Sequence, residues 1–286
     1  IRDRVSSAQA SLLGDAIDRK SLAEVDQVSE IQALADAAKA VMTGAADGVA
    51  PSLVQLQSLG VTGIHADNLK AVQDAIAATA DDGSAVSTLA DLQRVVNSAA
   101  GSASVALAVI GAYAQDNGAQ APAPSEADYR AAGVTGVSAS NVGAFNSALA
   151  SASVDAASVD STAKVQALVN AFNGVLTLAD GLDNTASGAT LAASTYGLIG
   201  VTGVDSPEKA SLLGDVLDVQ QAADVSRVAD VQVLASAAAA VIKAAAGQGV
   251  PTLAQLQALG IGQVSADNLP AVTLSLIHIS EPTRRS

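Results

Sequence analysis

The sequence predicts an all-α protein built from tandem repeats. Residues 10–72 align with residues 210–272 without a gap, and about half of the aligned positions are identical. A four-residue landmark, Gly-Val-Thr-Gly, occurs at 60–63, 133–136 and 200–203, with a degenerate copy at 260–263. The longest segments carry apolar residues every three or four positions, which is helical periodicity and not the alternation of strands. We expect tandem small three-helix bundles, with a continuous α-solenoid as the alternative arrangement.

The landmark divides the chain into repeat units. Its first glycines are separated by 73, 67 and 60 residues, which sum to 200, so three units form the higher-order repeat. Self-similarity at a fixed period takes precedence over chain length in assigning domains. We predict a partial helical repeat at 1–60, helical repeats at 61–133, 134–200 and 201–260, and the start of the next at 261–273. Each repeat is expected to have its neighbours as partners.

The first helix of each repeat is predicted to be short and to end at the landmark. In 252–259, Thr252 suits the N-cap because it follows Pro251 and precedes a periodic segment. The first glycine of the landmark suits the left-handed residue after a helix, and the apolar residue that follows it suits the contact of a Schellman motif. The position four residues before that glycine is predicted to be buried: Leu56, Tyr129, Tyr196 and Leu256.

The second helix is predicted to begin two residues after the landmark. Asp205 and Glu208 have the spacing of a capping box, in which two side chains bond reciprocally to backbone amides. The N-cap position holds these residues: His65, Ser138, Asp205 and Ser265. The position three residues later holds an asparagine in the other repeats: Asn68, Asn141 and Asn268.

The third helix is predicted to be the longest. Thr88 and Asp91 form a further possible capping box at the start of one copy. A buried stripe is predicted in that copy at Leu89, Leu92, Val96, Ala99, Ala103, Ala106, Ile110 and Tyr113. Further stripes are predicted at Val165, Leu168, Val169, Phe172, Val175, Leu176 and Ala179, and at Val225, Val228, Val231, Leu234, Ala238, Val241 and Ala245.

Composition excludes several classes of function. The chain has no cysteine, which excludes disulfides, thiolate metal sites and cysteine nucleophiles. Its formal net charge of −14 argues against nucleic acid and anionic membrane surfaces as partners. No apolar run reaches the roughly 18 residues of a spanning helix, so membrane insertion is not expected. Aromatic residues make up only 2% of the chain, so the core of each repeat is expected to be thin.

The candidate chemical sites are better explained as structural features. His65 is a possible base or metal ligand, but other repeats have Ser138, Asp205 or Ser265 at its position, which indicates a helix cap. The Asp81-Asp82-Gly83 turn offers two ligands where calcium needs six to eight oxygens. The landmark lacks the Gly-Lys-Ser/Thr ending of a phosphate-binding loop. We therefore predict no catalytic, cofactor-binding or metal-binding residue, no cofactor, and a protein that is not an enzyme.

The end of the chain departs from the repeat pattern. Residues 274–284 resemble a translated sequencing adapter, and 274–286 is predicted to be a non-native tail. His278, Arg284 and Arg285 are therefore given no functional role. Without Glu281, Arg284 and Arg285 the formal charge becomes −15 (−14 + 1 − 2).

The segment 59–72, Leu-Gly-Val-Thr-Gly-Ile-His-Ala-Asp-Asn-Leu-Lys-Ala-Val, resembles helical tandem repeats of large bacterial surface and biofilm adhesins. The resemblance extends over most of residues 1–273. It implies export by type I secretion, an extracellular location at the bacterial cell surface, and a role as spacer or stalk that projects a distal adhesive domain. The alternative is a multivalent array of modules that bind a host or matrix protein or a glycan. An enzyme is the distant alternative.

Overall fold

The computed structural model describes residues 7–47, 49–182 and 191–278 of the chain. In these residues the fold is all-α, as predicted, with no strand beyond one isolated bridge between Asp180 and Gln221. The α-helices are α1 (Ser7–Ile17), α2 (Val28–Asp47), α3 (Leu53–Ser58), α4 (Ala66–Ala77), α5 (Leu89–Gln115), α6 (Glu126–Ala131), α7 (Val142–Leu149), α8 (Thr162–Leu178), α9 (Ala193–Leu198), α10 (Pro207–Asp218), α11 (Val228–Ala245), α12 (Leu253–Ala258) and α13 (Leu269–His278).

The helices repeat in the predicted order of short, intermediate and long. The first helices α3, α6, α9 and α12 have six residues each and lie directly before a landmark. Second helices follow the landmark, and the connections to α2, α5 and α8 each contain a 3₁₀ helix, at Leu22–Glu24, Ser84–Val86 and Ala156–Val159. The predicted bounds fall at the landmark, whereas the helices are grouped here from the short helix before it. Grouped in this way, α1–α2 are the second and third helices of the first repeat, and α12–α13 are the first and second helices of the last.

The landmark ends each first helix with a complete Schellman motif. Gly60 has φ +89°, its N–H donates to the Gln57 carbonyl at 2.9 Å, and the Val61 N–H donates to the Leu56 carbonyl at 3.2 Å. The same two bonds recur at the landmarks that begin with Gly133, Gly200 and Gly260. They satisfy carbonyls that the helix itself leaves without a partner. The four predicted slot residues are all buried: Leu56, Tyr129, Tyr196 and Leu256.

The residue after the first glycine is buried in three landmarks and not in the fourth. Val61, Val134 and Val201 are at most 4% exposed, whereas Ile261 is 40% exposed. The predicted hydrophobic contact is therefore missing at the last landmark. In the earlier repeats the third helix lies over the residue after the first glycine. No third helix follows α13 in the part of the chain that the structure describes.

The start of α10 differs from the predicted capping box. The N-cap is Ser206, not Asp205, and its hydroxyl accepts the Lys209 N–H at 3.4 Å. Pro207 occupies the first helical position, where its missing N–H costs nothing and its fixed φ suits the helix. Asp205 forms a salt bridge with Lys209 at 2.5 Å instead. Half of the predicted Thr88–Asp91 box is present, because the Asp91 N–H donates to the Thr88 hydroxyl at 3.1 Å. The Asp91 carboxylate accepts from the Thr88 hydroxyl, at 2.6 Å, and not from a backbone amide.

The third helices bury most of the predicted stripes. In α5 the residues from Leu89 to Ile110 on the stripe are buried, and Tyr113 is half-buried. Leu176 of α8, and Val241 and Ala245 of α11, are also only half-buried. Two of these helices, α5 and α11, are long and apolar enough by length and composition to cross a membrane. In the described structure most stripe residues of both helices are buried, and the stripe of α5 from Leu89 to Ala99 belongs to the core of the first unit.

The described chain divides into two compact units. The first contains the described residues up to Val109 together with Ala127–Thr135 and Asp160–Ala163, and the second contains the rest. The boundary falls within α5, so the units do not coincide with single repeats. The repeat boundaries at 60, 133, 200 and 260 remain predictions.

In the first unit, one core runs through consecutive repeats. Helix α2 packs on α1 of its own repeat and on α3 and α4 of the next, and the core joins Leu12 of α1 to Val96 of α5. In the second unit, α11 packs on α10, on α12 and α13 of the next repeat, and on α7 of the preceding one. Cores shared between neighbours are typical of repeat arrays. Within each unit they favour the arrangement of an α-solenoid over separate bundles.

Helix α13 continues into the segment predicted to be a non-native tail. It ends at His278, and Leu274 within it is 56% exposed. Residues 279–286, which include Arg284 and Arg285, lie outside the described residues.

Candidate functional site

His65 lies at the N-cap of α4, as its position predicts. Its side chain is 64% exposed and forms no capping hydrogen bond of its own. The cap is made by Asn68, whose Oδ1 accepts the His65 N–H at 2.9 Å and whose Nδ2 donates to the Gly63 carbonyl at 2.9 Å. Asn141 and Asn268 make the same two bonds in their repeats. The asparagine therefore secures the landmark to the second helix.

The Asp81–Ser84 turn has ordinary turn chemistry. Oδ1 of Asp82 accepts the Ser84 N–H at 2.9 Å, and Gly83 has φ +71°. The hydrogen bonds from Ser84 hold the pKa of Asp82 below its usual range. Among the described residues no three His, Asp or Glu side chains converge in a way that could hold a metal ion.

The landmark loop is held by the third helix of its own repeat. Oε1 of Gln93 accepts the Thr62 N–H at 2.9 Å, and Nε2 of Gln93 donates to the Thr62 carbonyl at 2.9 Å. Gln232 makes the same pair of bonds with Thr202, at 2.8 and 3.1 Å. The sequence interpretation missed this contact, although a glutamine recurs at this position of every third helix: Gln32, Gln93, Gln166 and Gln232.

Neighbouring repeats also contact each other through polar groups. Oδ2 of Asp15, in α1, accepts the Leu89 N–H at the start of α5 at 2.9 Å. The Ser147 hydroxyl, in α7, accepts the Val228 N–H at the start of α11 at 3.0 Å. In both cases a second helix caps the third helix of the next repeat. These side chains are thus occupied in joining repeats.

A candidate site in the first unit is a groove between α4, α5 and α6. It has a volume of about 590 Å³, within the range of small-molecule sites. Arg94 lies on its wall with a side chain 75% exposed, and Arg94 also pairs with Asp91 at 2.9 Å. Alanine supplies most of the apolar wall. The lining residues are Ala71, Asp74, Ala75, Arg94, Val95, Ser98, Ala99, Ser102, Ala127, Arg130 and Ala131.

An equivalent groove lies between α11 and α12 and has different chemistry. It has a volume of about 260 Å³. The Gln93 and Gln232 contacts align α5 with α11, which places Val233 where the first groove has Arg94. The landmarks align α6 with α12, which places Gln257 where the first groove has Arg130. The arginines of the first groove therefore do not recur in its counterpart.

A further groove in the second unit has a volume of about 720 Å³ and is lined by residues that include Tyr113, Asn141, Ser147 and Arg227. Two of its polar groups already serve the fold, because Asn141 donates to the Gly136 carbonyl and Ser147 accepts from Val228.

No family model, curated protein or solved structure matches the chain.

Proposed function

We propose that the chain is a run of structural spacer repeats of a large bacterial cell-surface adhesin, in which the array projects a distal adhesive domain. One observation carries the proposal. The geometry that recurs is that of caps, joints and core, whereas the exposed groove between repeats changes from arginine and aspartate to valine and glutamine. A spacer requires the same kind of contact between successive repeats, whereas its function does not depend on which residues are exposed.

Charge and packing support the same role. A chain with a net charge of −14 repels copies of itself and anionic surfaces, which suits a stalk in the extracellular medium. Third helices pack on the helices of the next repeat in each unit, so each added repeat extends a shared core. The resemblance of residues 59–72 to adhesin repeats supports the proposed location at the cell surface.

The test is how the length of the protein depends on repeat number. Small-angle X-ray scattering would compare the chain with a variant in which residues 10–209 are duplicated. A spacer predicts a maximum dimension that grows in proportion to the number of repeats. A flexible linker of the same length grows only as about the square root of residue number and is the matched control. A dimension that follows the linker, or does not grow, contradicts the proposal.

The second candidate is a multivalent array that binds a host or matrix protein or a glycan. The groove between α4, α5 and α6 favours it, because exposed arginine is a common anchor at interfaces. The double variant Arg94→Ala and Arg130→Ala separates the two roles. It leaves adhesion of cells that display the array unchanged if the array is a spacer, and it weakens adhesion if this groove holds the ligand.

A further inference from the structure

The dipeptide Asn-Gly occurs in the chain at 117–118 and at 173–174. Asparagine deamidates most readily in this dipeptide, because glycine has no Cβ to hinder the attack of its backbone nitrogen on the asparagine Cγ. The first copy directly follows the end of α5, whereas the second lies within α8. Two dipeptides of the same composition therefore differ only in what surrounds them.

The first dipeptide forms the C-terminal cap of α5. Asn117 has φ +52° and is, in the part of the chain that the structure describes, the only residue other than glycine with a positive φ. Its N–H donates to the Ala114 carbonyl at 3.2 Å, and the Gly118 N–H donates to the Tyr113 carbonyl at 2.9 Å. These are the two bonds of a Schellman motif, with asparagine as the left-handed residue. Asn117 is exposed to solvent.

The cap of α5 favours glycine at residue 118 more than asparagine at residue 117. Gly118 has φ +69°, and a Cβ on it would lie 2.7 Å from Oη of Tyr113, so a side chain there would be strained and crowded. Helix α11 ends in the same motif with Gly247 as the left-handed residue, and the Gln248 N–H donates to the Lys243 carbonyl at 2.8 Å. The motif therefore forms without asparagine.

The second dipeptide is held by its side chain and by its helix. Nδ2 of Asn173 donates to the Gly136 carbonyl at 3.1 Å, and Oδ1 of Asn173 accepts from Nδ2 of Asn141 at 3.2 Å. Gly174 lies within α8, where the N–H of each residue donates to the carbonyl four residues earlier. A reaction at Asn173 therefore requires both the release of its side chain and the opening of a helix interior.

We propose that Asn117 is a site of spontaneous deamidation, exposed to reaction by fraying of the last turn of α5, and that the fold protects Asn173. The ends of a helix open at a small cost in free energy, whereas its interior opens at a much larger one. Opening of the last turn breaks the bond from the Gly118 N–H to the Tyr113 carbonyl. The Gly118 nitrogen is then free to approach Cγ of Asn117.

The reaction at Asn117 needs only water. The Gly118 nitrogen loses its proton and forms a bond with Cγ of Asn117, while the bond from Cγ to Nδ2 breaks. Nδ2 leaves as ammonia and takes up a proton in place of the one that Gly118 lost. Water then adds to either carbonyl of the cyclic imide and opens the ring, which gives aspartate or isoaspartate.

The products change the end of α5 in charge and in backbone length. Both products place a carboxylate beside Asp116, where asparagine is neutral. In isoaspartate the main chain also passes through an additional methylene group, between the two N–H groups that cap α5. The Schellman motif then cannot re-form, so the last carbonyls of the helix lose their partners. This change requires no enzyme and does not depend on a spacer role.

Peptide mass spectrometry of the full chain, after incubation in mildly alkaline buffer, measures conversion at both sites. In the folded chain Asn117 is expected to convert at least about tenfold faster than Asn173, because a helix end opens more readily than a helix interior. In urea the two rates are expected to become similar, which controls for the neighbouring residues. Equal rates in the folded chain, or conversion of Asn117 only in urea, would overturn the proposal.

Asn117→Gly tests the assignment of the site. This variant removes the side-chain amide and keeps the left-handed residue, as Gly247 does at the end of α11. It is expected to abolish conversion in the peptide that contains residue 117, to leave the rate at Asn173 unchanged, and to keep the circular dichroism of the wild type. Conversion that persists in that peptide would place the reaction at Gln120 and overturn the assignment.

Gln115→Gly tests the opening step. Gln115 is the last residue of α5 and is exposed, so its replacement changes the stability of the last turn without disturbing the core. Conversion of Asn117 is expected to be about threefold faster in Gln115→Gly than in the matched control Gln115→Ala, because glycine weakens a helix relative to alanine. The rate at Asn173 should be the same in both variants. Equal rates at Asn117 would overturn fraying of α5 as the step that exposes the site.

Discussion

The side-chain amide of Gln93 binds both backbone groups of Thr62. Its oxygen accepts the Thr62 N–H and its nitrogen donates to the Thr62 carbonyl, each at 2.9 Å. The loop held in this way connects the first helix of the repeat to the second. A single side chain of the third helix therefore links that helix to the loop between the first two.

Gln93→Ala is expected to lower the free energy of unfolding by about 1–2 kcal/mol, because two hydrogen bonds to the landmark are lost. Gln32→Ala is the matched control, since Gln32 occupies the same position of α2, where the first repeat has no landmark before it. Urea unfolding followed by circular dichroism, at a concentration where the chain is monomeric, measures the free energy of unfolding of both variants. Equal losses would show that the two hydrogen bonds from Gln93 to Thr62 do not stabilise the repeat.

Asp15→Ala is expected to destabilise the first unit by about 1 kcal/mol. The reason is that the carboxylate of Asp15 caps α5 across a joint between repeats, at 2.9 Å from the Leu89 nitrogen. Asp215→Ala removes the same residue type at the equivalent position of α10, where the described chain has no following third helix to cap. The difference in stability between the two variants, from thermal unfolding of the monomer, measures how much the contact between Asp15 and Leu89 stabilises the protein. No difference would argue against coupling between repeats.

Gly200→Ala and Gly203→Ala separate backbone strain from crowding. Both glycines have left-handed backbone, with φ +87° and +83°, where an L-residue is strained by about 1–2 kcal/mol. A Cβ on Gly200 would lie 1.9 Å from the Ser151 hydroxyl, whereas a Cβ on Gly203 meets nothing within 4 Å. Gly200→Ala should therefore lower the free energy of unfolding, measured by chemical denaturation, by about 1–3 kcal/mol more than Gly203→Ala does. Equal losses in the two variants would show that the Ser151 side chain moves aside at no cost.

Tyr196→Phe is expected to raise stability by about 1 kcal/mol. The hydroxyl of Tyr196 is buried and has no hydrogen-bond partner among the described residues. Its removal is therefore favourable, because the hydroxyl loses its hydrogen bonds to water on folding and gains none in the protein. Tyr113→Phe, at a half-buried position, is the comparison. A loss of stability in Tyr196→Phe would mean that the hydroxyl is bonded in solution.

Tyr196 also predicts a dependence of stability on alkaline pH. Burial raises the pKa of Tyr196 above its ordinary value of 10.0, so the folded state favours the neutral phenol. That contribution is complete below pH 10 and is lost as the pH rises, because the unfolded chain ionises more readily. The wild type should lose stability above about pH 10. Tyr196→Phe should lose less over the same range in parallel thermal melts.

Glu24 provides a test at acid pH. Hydrogen bonds from the Ser21 amide and hydroxyl, and from Lys20, lower the pKa of Glu24 from 4.5 to about 2. Because the folded pKa is the lower one, the turn at Leu22–Glu24 is stabilised above pH 4.5, and this is lost as the pH falls toward 2. Ser21→Ala removes the hydroxyl bond and should raise the pKa of Glu24, as followed by carbon NMR. An unchanged pKa would contradict this cause.

Local patterns in the sequence predicted the helices and the landmark because their causes are local. Glycine at position 60 allows the left-handed residue that ends the helix without strain, and periodic apolar residues indicate which face of α8 is buried. The spacing of a capping box predicts the N-cap of α10 at Asp205, one residue before the observed N-cap at Ser206. The preference of proline for the first position of a helix indicates the observed start, because Pro207 follows Ser206 directly.

Contacts between repeats could not be predicted in the same way. Asp15 and Leu89 are 74 residues apart, and Ser147 and Val228 are 81 apart. Nothing local to either residue specifies such a partner. The groove beside Arg94 has no signature either, since its shape depends on how far α6 stands from α5. The recurring glutamine of the third helices was a readable signal, because a polar residue at a fixed position beside a core stripe indicates a specific contact.

The two joints between repeats bind main-chain groups, because the Asp15 carboxylate accepts the Leu89 N–H and the Ser147 hydroxyl accepts the Val228 N–H. Every residue type except proline has this N–H, so such a joint does not depend on which side chain begins the third helix. Blocks exchanged between distant parts of the gene therefore keep an amide for this acceptor at their new junctions. Unequal recombination would change the length of the protein by whole blocks without a compensating substitution at that residue.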